Sequence, residues 1–206
     1  MIAIVDYGVG NLFSLCSSLD KIGAESVVTS DPAVLHSADK IILPGVGAFE
    51  DARRKLKASG LDEIVIAEAK AGKPIFGICL GMQMLFEKSY EYGEHEGLGL
   101  IPGSVIGMQG TIPESFMIPH IGWNSLSIKK NHPVFKYVNE GDYVYFVHSY
   151  YGVECDSALL ATTDYGKEIT AAVALENVTG TQFHPEKSGD VGLSILRAFA
   201  EWEVEK

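Results

Sequence analysis

No hydrophobic run in the sequence approaches the roughly 20 residues that a membrane-spanning helix needs. The N-terminal stretch Met1–Asp6 also lacks the basic start and the longer apolar region of a secretory signal, so a cytoplasmic protein is expected. Cysteine is scarce. Cys16, Cys79 and Cys155 are odd in number and widely spaced, which excludes a disulfide framework and offers no zinc-ligand spacing. Positive charge is short as well: 16 Lys and Arg stand against 27 Asp and Glu, a net charge of −11. With no basic cluster, nucleic acid is not an expected partner. Internal repeats, low-complexity tracts and linkers are all missing, so one domain over residues 1–206 is expected. What remains is 47% hydrophobic and 21% charged, an ordinary balance for a globular protein.

In the first half, short apolar runs alternate with helical patterns. Ile2–Asp6, Ser26–Thr29, Lys40–Leu43 and Ile75–Ile78 read as strands. Between them, Leu12, Leu15, Cys16, Leu19 and Ile22 follow helical spacing behind a capping Asn11, and Gly23 ends that helix. Asp31-Pro32 opens a short helical turn, and Phe49–Ala58 and Leu61–Ala71 read as two helices. Pro44-Gly45-Val46-Gly47 is expected to break the third strand. Such alternation predicts a parallel sheet covered on both faces, with ligands at the carboxyl ends of its strands. Residues 88–99 are acidic and glycine-rich and read as a solvated loop outside any site. Beyond Gly103, strand signals dominate at 104–108, 124–128, 143–147, 159–162, 170–175 and 179–183, expected as antiparallel or edge strands of the same sheet. Residues 188–203 form a closing amphipathic helix.

The chemistry concentrates at Pro74–Gln83. Gly77-Ile-Cys79-Leu-Gly81 is a Gly-x-nucleophile-x-Gly pattern at a strand-to-helix turn, with cysteine where hydrolases often place serine. A thiol there faces the positive end of a helix, which favours thiolate; a small inert core cysteine would read the same way. A cysteine nucleophile needs a base, and the base an orienter. Of six histidines, His184 ends an apolar run and is followed by Pro185 and Glu186, so its ring sits past the strand with a carboxylate two residues on. A plain capped turn is the competing reading. His36, His95 and His132 lie in polar or turn-like stretches and read as solvent-facing, whereas His120 and His148 read equally as structural or functional. For the oxyanion formed on attack at a carbonyl, the Leu80 N–H lies at the helix start. Gly45-Val46-Gly47 is the best source of a second donor, because glycines on either side of Val46 let a peptide plane turn inward. Gly8-Val9-Gly10 lacks the third glycine of a dinucleotide fingerprint, so no nucleotide site is read there.

Three stretches together resemble the triad-type (class I) glutamine amidotransferases: Gly77-Ile-Cys-Leu-Gly-Met-Gln83, Gln182-Phe-His-Pro-Glu-Lys-Ser-Gly189 and Pro44-Gly-Val-Gly-Ala-Phe49. Asp6-Tyr-Gly-Val-Gly-Asn-Leu12, Pro119-His-Ile-Gly-Trp-Asn124 and Lys187-Ser188 narrow the likeness. They are similar to glutaminases that feed a cyclase making imidazole glycerol phosphate and aminoimidazole carboxamide ribotide in histidine biosynthesis. The resemblance runs from the first strand to the last helix. It implies a flavodoxin-like, three-layer domain with a mostly parallel central sheet, helices on both faces and additional antiparallel strands. It further implies hydrolysis of L-glutamine through a glutamyl thioester on Cys79, with His184 as acid/base and Glu186 as its partner. The backbone N–H groups of Val46 and Leu80 would form the oxyanion hole, and Gly47, Gln83, Ser149 and Tyr150 would contact glutamine. Asn11, Trp123, Asn124 and Lys187 would lie near the interface with a (β/α)8-barrel cyclase subunit in a heterodimer that channels ammonia. Neither a metal nor an organic cofactor is implied. Another triad amidotransferase, a stand-alone cysteine hydrolase and a non-catalytic subunit of the same fold are the competing readings.

Overall fold

The alternation read in the first half is what the computed structural model contains, and residues 1–203 are described. Chain order gives β1 (Ile2–Val5), α1 (Leu12–Lys21), β2 (Ser26–Thr29), α2 (Pro32–Ser37), β3 (Lys40–Gly45), α3 (Phe49–Ala58), α4 (Leu61–Lys70), β4 (Ile75–Cys79) and α5 (Leu80–Leu85). The second half adds β5 (Phe86–Ser89), β6 (His95–Glu96), β7 (Ile101–Gly107), β8 (His120–Ser125), β9 (Ser127–Ile128) and β10 (Tyr143–His148). It closes with β11 (Tyr150–Val153), β12 (Leu159–Asp164), β13 (Glu168–Leu175), β14 (Val178–Thr181) and α6 (Gly189–Glu201).

An eight-stranded sheet runs in the order β2-β1-β3-β4-β14-β13-β12-β9. Its first five strands are parallel, and β13, β12 and β9 continue it antiparallel. The strand period of two splits the apolar residues between its faces. Ala3, Val5, Ile41, Leu43 and Ile75 join the cluster under α2, α3 and α4, which supply Leu35, Leu56 and Val65. Ile2, Ile4, Ile42, Phe76 and Ile78 join the opposite cluster with Leu15 and Leu19 of α1 and Ile195, Leu196 and Phe199 of α6. Two buried faces explain why the parallel strands are unbroken apolar runs.

Several details differ from the sequence reading. β3 continues through Pro44 and Gly45 to pair with Ile78 and Cys79. Proline is tolerated there because β1 accompanies β3 only as far as Ile42, so no donor is needed on that side. Asn11 occupies the position before α1, but its backbone (φ −89°, ψ 65°) is not extended and its side chain makes no capping bond. The second half does not all join one sheet. β8 and β10 form a separate two-stranded ribbon, and β11, β7, β5 and β6 form a four-stranded sheet. β11 gives no clear signal because Gly152 interrupts it; a Cβ there would meet the Phe86 ring at 2.3 Å. No helix among the described residues is long and apolar enough to cross a membrane.

Candidate active site

The carboxyl ends of β3 and β4 and the segment after β14 converge on Cys79. This residue ends β4 with φ 54° and ψ −110°, and α5 begins at the next residue. Such a conformation costs a non-glycine residue about 1–3 kcal/mol and persists only where its surroundings enforce it. Here the enforcement is lack of room. A Cβ on Gly81 would lie 1.8 Å from the Leu43 carbonyl oxygen, one on Gly77 2.7 Å from the backbone of Met82, and one on Gly45 2.7 Å from the Gly81 nitrogen. Strand, turn and helix are thus in backbone contact, and Tyr7 Oη donates to the Pro44 carbonyl at 2.6 Å beneath them. Burial, and next the charge at Cys79, push the Tyr7 hydroxyl far above its usual value, so it stays protonated as that donor.

His184 is held differently. Its backbone N–H donates to the Tyr145 carbonyl at 3.0 Å, and its own carbonyl accepts from Ser188 Oγ at 2.6 Å. Its Nδ1 lies 2.8 Å from Glu186 Oε1, with both side chains buried. With Nδ1 engaged by the carboxylate, Nε2 is the nitrogen left for the thiol. Burial alone would lower the imidazole pKa, but hydrogen bonds to Cys79 and Glu186 outweigh it and raise the value to about 10. Glu186 Oε2 is buried and accepts no hydrogen bond among the described residues. A small cavity of about 10 Å³, lined by Asn11, Pro44, Gly45, Val46, His184 and Glu186 among others, adjoins the pair.

A larger cavity of about 620 Å³ is lined by Val46, Gly47, Cys79, Leu80, Gln83, Ser149, Tyr150, His184 and Lys187. The structure therefore brings together the nucleophile, the base and each residue expected to face glutamine or the oxyanion, with Glu186 behind His184. Of the four expected interface residues, only Lys187 reaches this cavity; its Nζ lies 5.9 Å from the Tyr145 ring centre. Trp123 is 55% exposed, which removes plain core packing as its explanation. Asn124 is half-buried, and its Nδ2 donates to the Asp164 carbonyl at 2.8 Å.

Other residues were not legible as site residues. Gln182 Nε2 lies 3.7 Å from Cys79 Sγ, and Gln182 Oε1 accepts from Gln83 Nε2 at 3.0 Å. Its spacing of two from His184, which places alternate side chains on one side of an extended chain, was the available signal. Glu91 and Tyr92 line the same cavity, so 88–99 is no bystander loop. Glu91 is buried and its Oε2 accepts from the Phe49 N–H at 2.6 Å. Burial raises its carboxyl pKa, while that backbone N–H and His95 hold it down in part. Two histidines expected in solvent are partly buried: His95 reaches the Glu91 carbonyl at 3.0 Å, and His132 packs edge-on against Trp202, where burial lowers its pKa to about 4. His36 is exposed beside Glu68. All three cysteines are free thiols.

The family described as glutamine amidotransferase class-I matches residues 3–201. The imidazole glycerol phosphate synthase subunit HisH of Caldanaerobacter subterraneus subsp. tengcongensis is 51% identical over 203 residues, covering 98% of either chain. The subunit of the same name from Syntrophotalea carbinolica is 48% identical over 205 residues, 98% of this chain and 100% of that one. Among solved structures, a glutamine amidotransferase superposes with a TM-score of 0.74 at 18% identity over 96% of this chain and 99% of the other. A structure of PurLQS from Thermotoga maritima gives 0.72 at 23% identity over 96% of each chain. At that identity these two matches speak for the fold alone.

Proposed function

The chain belongs to the class I glutamine amidotransferases and, within them, to the HisH subunits of imidazole glycerol phosphate synthase, and on that premise we propose how its own residues hydrolyse glutamine. The observation that carries the assignment is the buried His184–Glu186 pair at 2.8 Å beside a backbone-strained cysteine in the large cavity. Cys79 Sγ attacks the side-chain amide carbon of L-glutamine. The resulting oxyanion is met by the N–H groups of Val46 and Leu80, each such donor contributing about 3 kcal/mol to the transition state. His184 then gives its proton to the departing nitrogen, ammonia leaves, and a glutamyl thioester remains on Cys79. Water, deprotonated by His184, cleaves the thioester to glutamate and restores the thiol. Glu186 keeps Nδ1 of the ring occupied and stabilises the imidazolium.

Gln83 Nε2 is already donated to the Tyr150 carbonyl and to Gln182, so Gln83 Oε1 is the atom free to receive a substrate donor. The Gly47, Ser149 and Tyr150 backbone forms the facing wall. Glu91 supplies negative charge in that wall for the substrate ammonium, which in turn draws its carboxyl back toward ionisation. The ammonia serves a cyclase partner, which carries the lyase step. We take that partner to be a (β/α)8 barrel in a one-to-one heterodimer, docking near Asn11, Trp123, Asn124 and Lys187, with residues 1–206 acting as one amidotransferase domain. Gly45 is clamped in β3, but Gly47 has open space around it, and a turn of the Val46-Gly47 segment keeps the isolated subunit nearly silent until the partner is loaded.

The test is ammonia release from L-glutamine by the chain alone and with the cyclase subunit and its nucleotide ligand, with Cys79→Ala as control. Strong stimulation that the control lacks is the expected result. Equal activity with and without the partner would sink the gating and favour a stand-alone hydrolase.

A further inference from the structure

His120 and His148 are both buried, and the scheme above gives neither a task. They belong to one directed chain of hydrogen bonds. The Tyr150 carbonyl can only accept, so His148 Nδ1, 2.9 Å away, carries a proton. His148 Nε2 is then a bare acceptor, and His120 Nδ1, at 3.1 Å, is its donor. His120 Nε2 is in turn an acceptor, and the Asn124 amide nitrogen lies 3.4 Å from it. Each ring therefore has a single tautomer, and protonating either one would set two donors against each other. Burial acts in the same direction, lowering the pKa of His120 to about 4 and, against the opposing pull of the hydrogen bond to the Tyr150 carbonyl, that of His148 to about 3. The chain ends on the carbonyl that also accepts from Gln83 at 3.1 Å.

We propose that His120 and His148 are positioning residues of the glutaminase: their fixed tautomers hold the Tyr150 carbonyl, and with it the Ser149-Tyr150 wall of the cavity, and tie that wall to β8. The inference rests on the reading of this cavity as the glutamine site. β8 is suited to the second part. His120 and Asn124 point to one face of the strand, while Ile121 and Trp123, 58% and 55% exposed, point to the other, and Trp123 and Asn124 are both among the residues proposed to lie near the cyclase. The ladder partner of β8 is β10, and the far end of β8 is tied to β12 of the large sheet, Asn124 Nδ2 donating to the Asp164 carbonyl and Thr163 Oγ1 to the Ser125 carbonyl, each at 2.8 Å.

The experiment uses the complex with the cyclase subunit and histidine labelled with ¹⁵N. In the wild type, His148 should show a protonated Nδ1 and a bare Nε2 from about pH 5 to about 8 without titrating. His120→Phe keeps a ring between Tyr165 and Phe146, whose centres lie 3.9 and 4.8 Å from that of His120, but leaves His148 Nε2 without a donor. Its KM for glutamine should rise about tenfold with a smaller fall in kcat, and His148 should lose its single tautomer. A wild-type His148 that titrates near the ordinary histidine value would overturn the inference, and this readout needs no variant to fold. So would a wild-type KM in a folded His120→Phe. A wild-type complex that releases no ammonia from glutamine would instead condemn the glutaminase reading itself, whatever the ¹⁵N spectra show.

Discussion

The nucleophile and its base are held by opposite means. Cys79 is fixed by exclusion: Gly45, Gly77 and Gly81 let three backbone segments touch, and no side chain fits between them. His184 is fixed by polar bonds to Tyr145, Ser188 and Glu186, in a turn past the end of β14. A steric clamp is indifferent to pH and salt but fails all at once when an atom is added. A polar clamp degrades by degrees as groups are removed or titrated. The two halves of one catalytic pair should therefore break in different ways.

The most severe break is Gly81→Ala. Its methyl group would sit 1.8 Å from the Leu43 carbonyl oxygen, a backbone atom that cannot step aside. The expected loss is about 4 kcal/mol or more, in the range that only disrupted cores reach, read by denaturant unfolding. Wild-type stability in that variant would show that the turn is not a steric clamp. On the polar side, His184→Asn should leave folding largely intact but lower glutamine turnover about a thousandfold or more, as loss of a triad member does. A mild effect would point to another base.

Next comes the pH dependence of stability. His184 has its pKa raised from 6.5 to about 10 in the folded state, so between those values the folded chain binds more protons than the unfolded one. The stability it confers is fully present below 6.5 and lost as pH rises toward about 10. In Glu186→Gln the decline across that window should flatten, because one of the two partners that raise the value loses its charge. An unchanged slope in urea titrations would assign the effect elsewhere. The smallest effect separates two variants that both lack the thiol. Cys79→Gly should be more stable than Cys79→Ala by about 1 kcal/mol, since only glycine occupies this backbone region without strain. Equal midpoints would mean that the turn relaxes once sulfur is gone.

The same contrast explains what could be read from the sequence. The steric half was legible because glycine spacing and apolar runs are local signals, and Cys79 sits between its own glycines. The His184–Glu186 pair was legible because the two are neighbours in the chain. Glu91 was not: its carboxylate is taken in by the N–H of Phe49, 42 positions earlier, and acidity alone looks the same on a solvated loop. Nor did local pattern show the His120–His148 contact, which depends on β8 and β10 pairing in register so that the two histidines face each other. Gln182 stood inside a quoted motif and was passed over because glutamine carries no signature of its own. Pro44 misled in the other direction, since a residue that usually ends a strand is harmless where the neighbouring strand has already stopped.

The backbone strain at Cys79 also bears on how this protein would decay if its activity were no longer required. A cysteine codon becomes a glycine codon by a single-base change, and at this position that change removes the nucleophile and relaxes the fold in one step. Most inactivating substitutions at a buried site are opposed by the stability they destroy; here selection for stability and loss of function point the same way. Only continued demand for the thiol keeps cysteine in place, so a lineage that had abandoned glutamine hydrolysis should show glycine at this turn early, with the rest of the sheet still intact.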